Sequence, residues 1–218
     1  MTFGDHRAGQ MVQWGAMSAS EVWYVSYGSN MSRRRLECYI RGGRPPGASV
    51  TYAGARDRTM PVEDVGVDLP GSLYFAGDST VWGGGTAFYD HDVPGPIPAR
   101  AYRMTVGQFV DVAAQEMHRL PDPDDPLHDV LLDGLPNGLP DGRHAAGPGV
   151  YETLIEVGLL DNLPMLTFTA PHGLETVPHT RPEPAYLAML ADGLRDAHGW
   201  DDQRIEAYFA RMMGHVNR

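Results

Sequence analysis

The chain has 218 residues, 42% of them apolar, enough to bury a core in one large domain or two small ones. Its net charge of −11 argues against nucleic acid or an anionic membrane as the main partner, and no run of about 18 apolar residues is present to form a transmembrane helix. All 17 basic residues are arginine, which excludes a Schiff-base lysine, a pyridoxal-phosphate enzyme and a lysine-bearing phosphate loop, while the single Cys38 excludes a disulfide framework and a cysteine-based zinc site and fits a reducing cytoplasm.

Residues 1–20 show neither a continuous apolar stretch nor a signal-peptide pattern, so they read as a flexible N-terminal extension to a single domain over residues 21–218. Residues 22–26 are rich in β-formers and predict a strand. It feeds Tyr27-Gly28-Ser29-Asn30-Met31, a tight turn of small residues, and a helix over residues 32–40 that stops at Gly42-Gly43. A strand, a small-residue turn and a helix start form a ready anion site. Gly28 lets the backbone approach a ligand, and the free N–H groups at the helix start can hold a carboxylate or phosphate. Ser29 and Asn30 either face that ligand or cap the helix, and spacing alone does not choose between these roles.

Residues 48–54 read as a strand, 56–70 as polar loop and 72–76 as a second short strand. The triple glycine 83–85 marks a turn between or into strands and lacks the order of a nucleotide fingerprint. Residues 94–98 read as a stiff proline linker, and residues 99–104 alternate as a half-buried strand does. Thr105 then caps a helix predicted over residues 106–119.

At about 100° per residue, Val106, Phe109, Val110, Val112, Ala113, Ala114 and Met117 share one arc of that helix. Gly107, Gln108, Asp111, Gln115, His118 and Arg119 share the other. Glu116 is the one charge on the apolar arc. A carboxylate on a buried face costs several kcal/mol unless it is paired or its pKa rises. Two readings follow: a general acid/base, or a stripe-edge glutamate that snorkels to solvent or pairs with an arginine.

Residues 121–148 mix aspartates with many prolines and glycines and read as a solvated insertion or lid, with one helical turn around 127–132. Residues 149–157 and 164–170 predict a strand and its hairpin partner. Pro184 suits a helix first turn, the helix runs to a stop at Gly199, and Asp201 caps a last helix with Ile205, Tyr208, Phe209 and Met212 on one face. The order of elements predicts an α+β fold around an antiparallel or mixed sheet.

Four features in this order resemble the γ-glutamylcyclotransferase superfamily: Tyr27-Gly28-Ser29-Asn30 after the first strand; a helix bearing an inward acid, Glu116; Gly149-Val150-Tyr151 leading a strand; and a late helix start at Pro184 and Tyr186 followed by Gly193 and Gly199. The resemblance spans roughly residues 22–212. It implies a small barrel-like α+β fold with a cavity beside the turn. It also implies that Tyr27, Gly28, Ser29 and Asn30 bind the glutamyl part of a small γ-glutamyl substrate, that Glu116 moves protons, and that Tyr151 lines the pocket. Family members often place Asp three residues before the acid and Gly just after it; here those positions are Ala113 and Met117, and the helix reads as continuing past Glu116. Glu152 and Glu156 are reserve candidates for the acid.

The implied reaction closes a five-membered lactam from a γ-glutamyl amine, amino acid or peptide, releasing 5-oxoproline and the free amine. It is intramolecular, so it needs no cofactor, metal or protein nucleophile. Two other readings stand beside it: amide hydrolysis or acyl transfer, and a non-catalytic binding module on the same scaffold. Metal catalysis has little support from nine scattered histidines with no H-x-x-x-H or H-x-H pair, and Gly28-Ser29-Asn30-Met31 lacks the second glycine of a nucleophile elbow. The partner expected is the small-molecule substrate, with neither nucleic acid nor membrane, and the chain is expected as a monomer or homodimer.

Overall fold

The computed structural model describes residues 21–134 and 137–213, so the expected extension over 1–20 lies outside the described residues. The first β-formers make β1 (Glu21–Ser26), a single 3-10 turn (Ser29–Met31) follows, and α1 (Arg33–Arg41) leads into an irregular crossing to β2 (Asp64–Pro70). A ribbon of β3 (Ser72–Ala76) and β4 (Thr86–Asp90) precedes the long β5 (Pro96–Thr105), which runs directly into α2 (Val106–Glu116). Then come α3 (Pro126–Gly134), β6 (Arg143–Ala145), the hairpin of β7 (Thr153–Leu160) and β8 (Leu163–Thr169), α4 (Pro184–His198) and α5 (Asp202–Met213).

The six-stranded sheet has the order β2-β5-β1-β8-β7-β6, with β3-β4 as a separate two-stranded sheet. β1 pairs parallel with β8 and antiparallel with β5, so the sheet is mixed and the fold α+β as expected. Its hydrogen bonding leaves β2 and β6 as free edges rather than closing a barrel. Alternation along β1 divides two cores. Val22 and Tyr24 join Leu36, Phe109 and Leu131 from α1, α2 and α3 on one face. Trp23 and Val25 join Leu190, Leu194 and Ile205 from α4 and α5 on the other. The hairpin of β7 and β8 turns through Asp161 and Asn162, both at positive φ, the pair a two-residue primed turn requires.

Several local expectations change. Residues 48–54 form no strand; a lone bridge joins Gly43 to Tyr52, and the following stretch lies across α2. The polar segment 56–70 contains β2, and the proline linker 94–98 contains the start of β5. Both carry poor strand formers, and pairing overrides them. Asp68 and Pro70 sit on the edge strand, and Pro96 and Pro98 fall where β5 is paired with β2 alone. β5 is buried on both faces rather than half-buried, because helices or ribbon cover each side. The segment expected as a solvated lid supplies a full helix, α3, and the edge strand β6, with Leu127, Leu131 and Leu139 in the first core.

Candidate active site

The turn after β1 is fixed from below and from behind. Met31 N–H bonds the Gly28 carbonyl at 3.1 Å and Ser32 N–H bonds Ser29 at 3.1 Å, leaving the first amides of the turn outside its own hydrogen bonds. The Tyr102 hydroxyl on β5 donates to the Asn30 and Met31 carbonyls at 3.0 and 2.9 Å, and Arg100 Nη1 donates to the Met31 carbonyl at 3.0 Å. The Tyr27 hydroxyl donates to Phe168 O on β8 at 2.8 Å. Helix α1 begins at Arg33 with Ser32 as its N-cap and no side-chain capping bond, so neither Ser29 nor Asn30 caps it.

Asn30 turns its side chain upward instead. Nδ2 donates to Glu116 Oε1 at 2.8 Å and to the Tyr24 hydroxyl at 3.0 Å. The amide orientation follows from chemistry, because the side-chain NH2 is the donating end of the amide and a carboxylate oxygen accepts. Oδ1 of Asn30 is buried with no hydrogen-bond partner.

Glu116 is delivered by α2, and the sequence sets its position from both ends. Thr105 and Gln108 form a reciprocal capping box at the start. At the end, the helix stops at Glu116 rather than running to 119. His118, at φ 58°, gives its N–H to Gln115 O at 3.2 Å, and Arg119 N–H bonds Ala114 O at 2.8 Å. This is a Schellman stop with histidine where glycine is commonest. Much of the polar arc is buried as well, because the chain from Gly54 to Thr59 covers Gln108, Asp111 and Gln115, while His118 and Arg119 stay exposed. Asp111, 1% exposed, pairs with Arg56 at 2.9 Å. Gln115 accepts from Gly54 N–H at 3.1 Å and donates to Tyr39 O at 3.0 Å, while Gln108 donates to Thr59 O at 2.7 Å. Apolar packing on one arc and these polar bonds on the other hold the helix at one rotation, and Glu116 is left half-buried at its tip.

A cavity of about 250 Å³ opens at that tip. Tyr27, Gly28, Ser29, Asn30, Glu116 and Tyr151 all line it, so the six residues that the resemblance points to meet in one place. Tyr151 stands at φ 60°, donates its hydroxyl to the Ala87 carbonyl at 2.8 Å and lies 2.8 Å from Thr86 Oγ1. The reserve acids lie elsewhere: Glu156 accepts from Leu139 N–H at 2.8 Å, and Glu152 accepts from Gly149 N–H. Burial above all, followed by the charge of Glu116, lifts the Tyr24 hydroxyl above its usual range. Burial does the same for Tyr151 and Tyr186, so the phenols of the wall remain neutral donors.

Sequence reading missed Arg35, which also lines the cavity at 2% exposure. It lies in a run of three arginines that resembles a solvated charge run. The same periodicity that exposed Glu116 places it on the buried face of α1 with Leu36, Tyr39 and Ile40. Its Nη2 donates to the Tyr39 and Tyr52 hydroxyls at 2.7 and 2.8 Å, and its charge stacks on both rings. Trp82 and Tyr186 complete an aromatic wall.

Among the described residues, one group has the spacing to hold a metal, Asp90, His91 and Asp92, and it lies outside the cavity lining. Asp90 is already engaged there by the N–H groups of Leu174 and Asp92. No described helix is long and apolar enough to cross a membrane.

The fold is shared with solved structures. A solved γ-glutamyl cyclotransferase matches over 87% of both chains with a TM-score of 0.51 and 14% identity. An uncharacterised protein from Homo sapiens matches over 88% of both chains with a TM-score of 0.50 and 16% identity. In sequence, the chain is 31% identical over 203 residues to histone deacetylase 5 of Arabidopsis thaliana, covering 88% of this chain and 31% of that protein. The chain therefore spans about a third of the length of this curated relative. No family model matches.

Proposed function

We propose that the chain is a γ-glutamylcyclotransferase-like enzyme that cyclises a γ-glutamyl amine, amino acid or peptide to 5-oxoproline. One observation carries the reading: the Glu116 carboxylate and the Tyr27–Asn30 turn share one cavity and touch through the 2.8 Å bond from Asn30. The substrate's α-ammonium is placed against the Glu116 carboxylate, which Asn30 holds at the cavity. Glu116 takes a proton from that ammonium, and the freed amine attacks the side-chain carbonyl carbon five atoms round the chain. A C–N bond forms and the carbonyl becomes an oxyanion, which the unused amides of the turn stabilise. Collapse breaks the bond to the leaving amine, which receives the proton from Glu116; the carboxylate then takes the second proton from the ring nitrogen, leaving the neutral lactam, and passes it to the released amine, which departs as its ammonium. Atoms balance without water, nucleophile or metal, and most of the acceleration comes from folding the substrate on itself.

A panel of γ-glutamyl compounds assayed for 5-oxoproline tests the reading, with Glu116→Gln as control. Lactam from at least one compound, lost in the variant, is expected. Free glutamate as the acyl product would instead indicate hydrolysis. Unchanged lactam release by Glu116→Gln would sink the role of the carboxylate.

A further inference from the structure

We propose that Arg35 makes one end of the cavity a carboxylate subsite, which receives the α-carboxylate of the substrate's glutamyl group. The subsite stands on geometry alone; its assignment to the glutamyl carboxylate rests on the cyclisation reading. Arg35 is buried and lines the cavity, yet its Nε and Nη1 have no hydrogen-bond partner. A guanidinium carries five N–H groups. Nη2 spends its own on Tyr39 and Tyr52, so the three on Nε and Nη1 are left unmatched.

The contrast with the other buried arginine is direct. Arg100 pairs with Asp64 at 2.8 Å through Nε and gives Nη1 to the Met31 carbonyl. Among the described residues Arg35 forms no ion pair. Glu116 acts on it through its charge but is itself held by Asn30. A buried cation with idle donors, resting against the adjoining rings of Tyr39 and Tyr52 at 4.3 and 4.4 Å, is preset for an anion.

The same cavity therefore carries an acid and a guanidinium not joined to each other. An α-amino acid head group bears an ammonium and a carboxylate on one carbon and matches that pair. With the ammonium toward Glu116 and the carboxylate toward Arg35, the glutamyl side chain is left free to fold its carbonyl over the turn. This orientation selects γ-linked over α-linked glutamyl compounds, because an α-linked one has spent that carboxylate in its amide.

The test compares 5-oxoproline with 5-oxoprolinamide, two ligands that differ in the carboxylate alone, by calorimetry on the full chain. The wild type is expected to bind the acid about a hundredfold more tightly, and Arg35→Gln to lose that preference. Equal affinities in the wild type, or a preference kept by a folded Arg35→Gln, would overturn the proposal. Because the substitution also strips Tyr39 and Tyr52 of their partner, a second readout uses the unaltered protein. The Arg35 Nε–H signal in a ¹⁵N NMR spectrum is expected to move with the acid and stay still with the amide. A signal indifferent to both overturns the subsite. Turnover is scored separately: absence of lactam from every γ-glutamyl compound refutes cyclisation, while acid-over-amide binding still decides Arg35.

Discussion

The Ser29–Met31 turn has two sides, and the fold treats them in opposite ways. Beneath it lies α4, and Gly193 makes the approach: a Cβ there would strike Met31 Cβ and come within 2.8 Å of Ser32 N. Above it lies the cavity, bordered by Gly28. A Cβ there would meet the Tyr186 hydroxyl at 3.5 Å and Ala87 Cβ at 3.8 Å, ordinary contacts, and the φ of −109° is open to any residue. One glycine is required by the protein's own packing. The other is not, so its absent side chain leaves room for something outside the chain. The underside is closed by apolar contact and by Tyr102 and Arg100. The upper side gathers Asn30 Oδ1, Glu116 and the idle donors of Arg35. Polar groups concentrated on one face of a three-residue turn separate a working surface from a supporting one.

The strongest way to break this division is Glu116→Gln. The amide oxygen can still accept from Asn30, so the melting temperature should stay within about 2 °C of the wild type. Lactam release should fall by about 10² to 10⁴, the range for a lost general acid/base. A large loss of stability with retained turnover would make Glu116 a support rather than a working group. Gly193→Ala comes next and attacks the other side. Overpacking against the Met31 backbone should cost about 1–3 kcal/mol in urea unfolding. Activity should fall only as far as the turn is displaced. Unchanged stability would mean that α4 does not set the height of the turn.

The two sides also differ in how much of them the sequence reveals. Glu116 stands out because one charge on an otherwise apolar arc is a local anomaly, visible from periodicity alone. Arg35 carries the same anomaly on α1 but is hidden by Arg33 and Arg34, which do face outward; Arg33 pairs with Asp64 at 2.6 Å. The strand, turn and helix at residues 21–41 and the helices after residue 183 are legible because their stop signals are local: Gly42, Gly199 and the Asp201 cap, which accepts from Arg204 N–H at 2.8 Å. β2 is not, since Asp68 and Pro70 become strand only by pairing with β5, some thirty residues on. The buried polar arc of α2 is equally non-local. Asp111 and Gln115 lie on the arc opposite the apolar one, and only the chain around Gly54 and Arg56, folding over them, buries them. The end of α2 at Glu116 was missed for a narrower reason: His118 occupies the left-handed stop position, and a histidine does not announce it.

A gentler probe of the upper side is Gly28→Ala. With no clash and no positive φ, the variant should be as stable as the wild type or slightly more so, by about 0.4–1 kcal/mol, through lost freedom in the unfolded chain. Its turnover should nevertheless drop about tenfold to a hundredfold, because the new methyl intrudes where the substrate must fold. Stability and activity then move apart, the reverse of the pattern at Gly193. If both fall together, Gly28 serves packing and the contrast between the two glycines disappears.

The smallest effect concerns the ribbon that walls the cavity. The Tyr74 hydroxyl on β3 donates to the His172 carbonyl at 2.7 Å and lies 2.9 Å from His172 Nδ1, and Tyr74 packs on Phe88, a lining residue. Burial holds His172 below its ordinary value of 6.5. The folded protein therefore binds this proton less readily than the unfolded chain. The contribution of the neutral ring is complete above about pH 6.5 and declines as pH falls through that value toward the lower folded-state pKa, below which it is flat. His172→Gln should remove this component, so the two stability–pH curves should converge as pH falls from neutral through about 6.5. Curves that stay parallel across that window would show that protonation of His172 does not loosen the wall. The working side of the turn would then be as insensitive to acid as the apolar side beneath it.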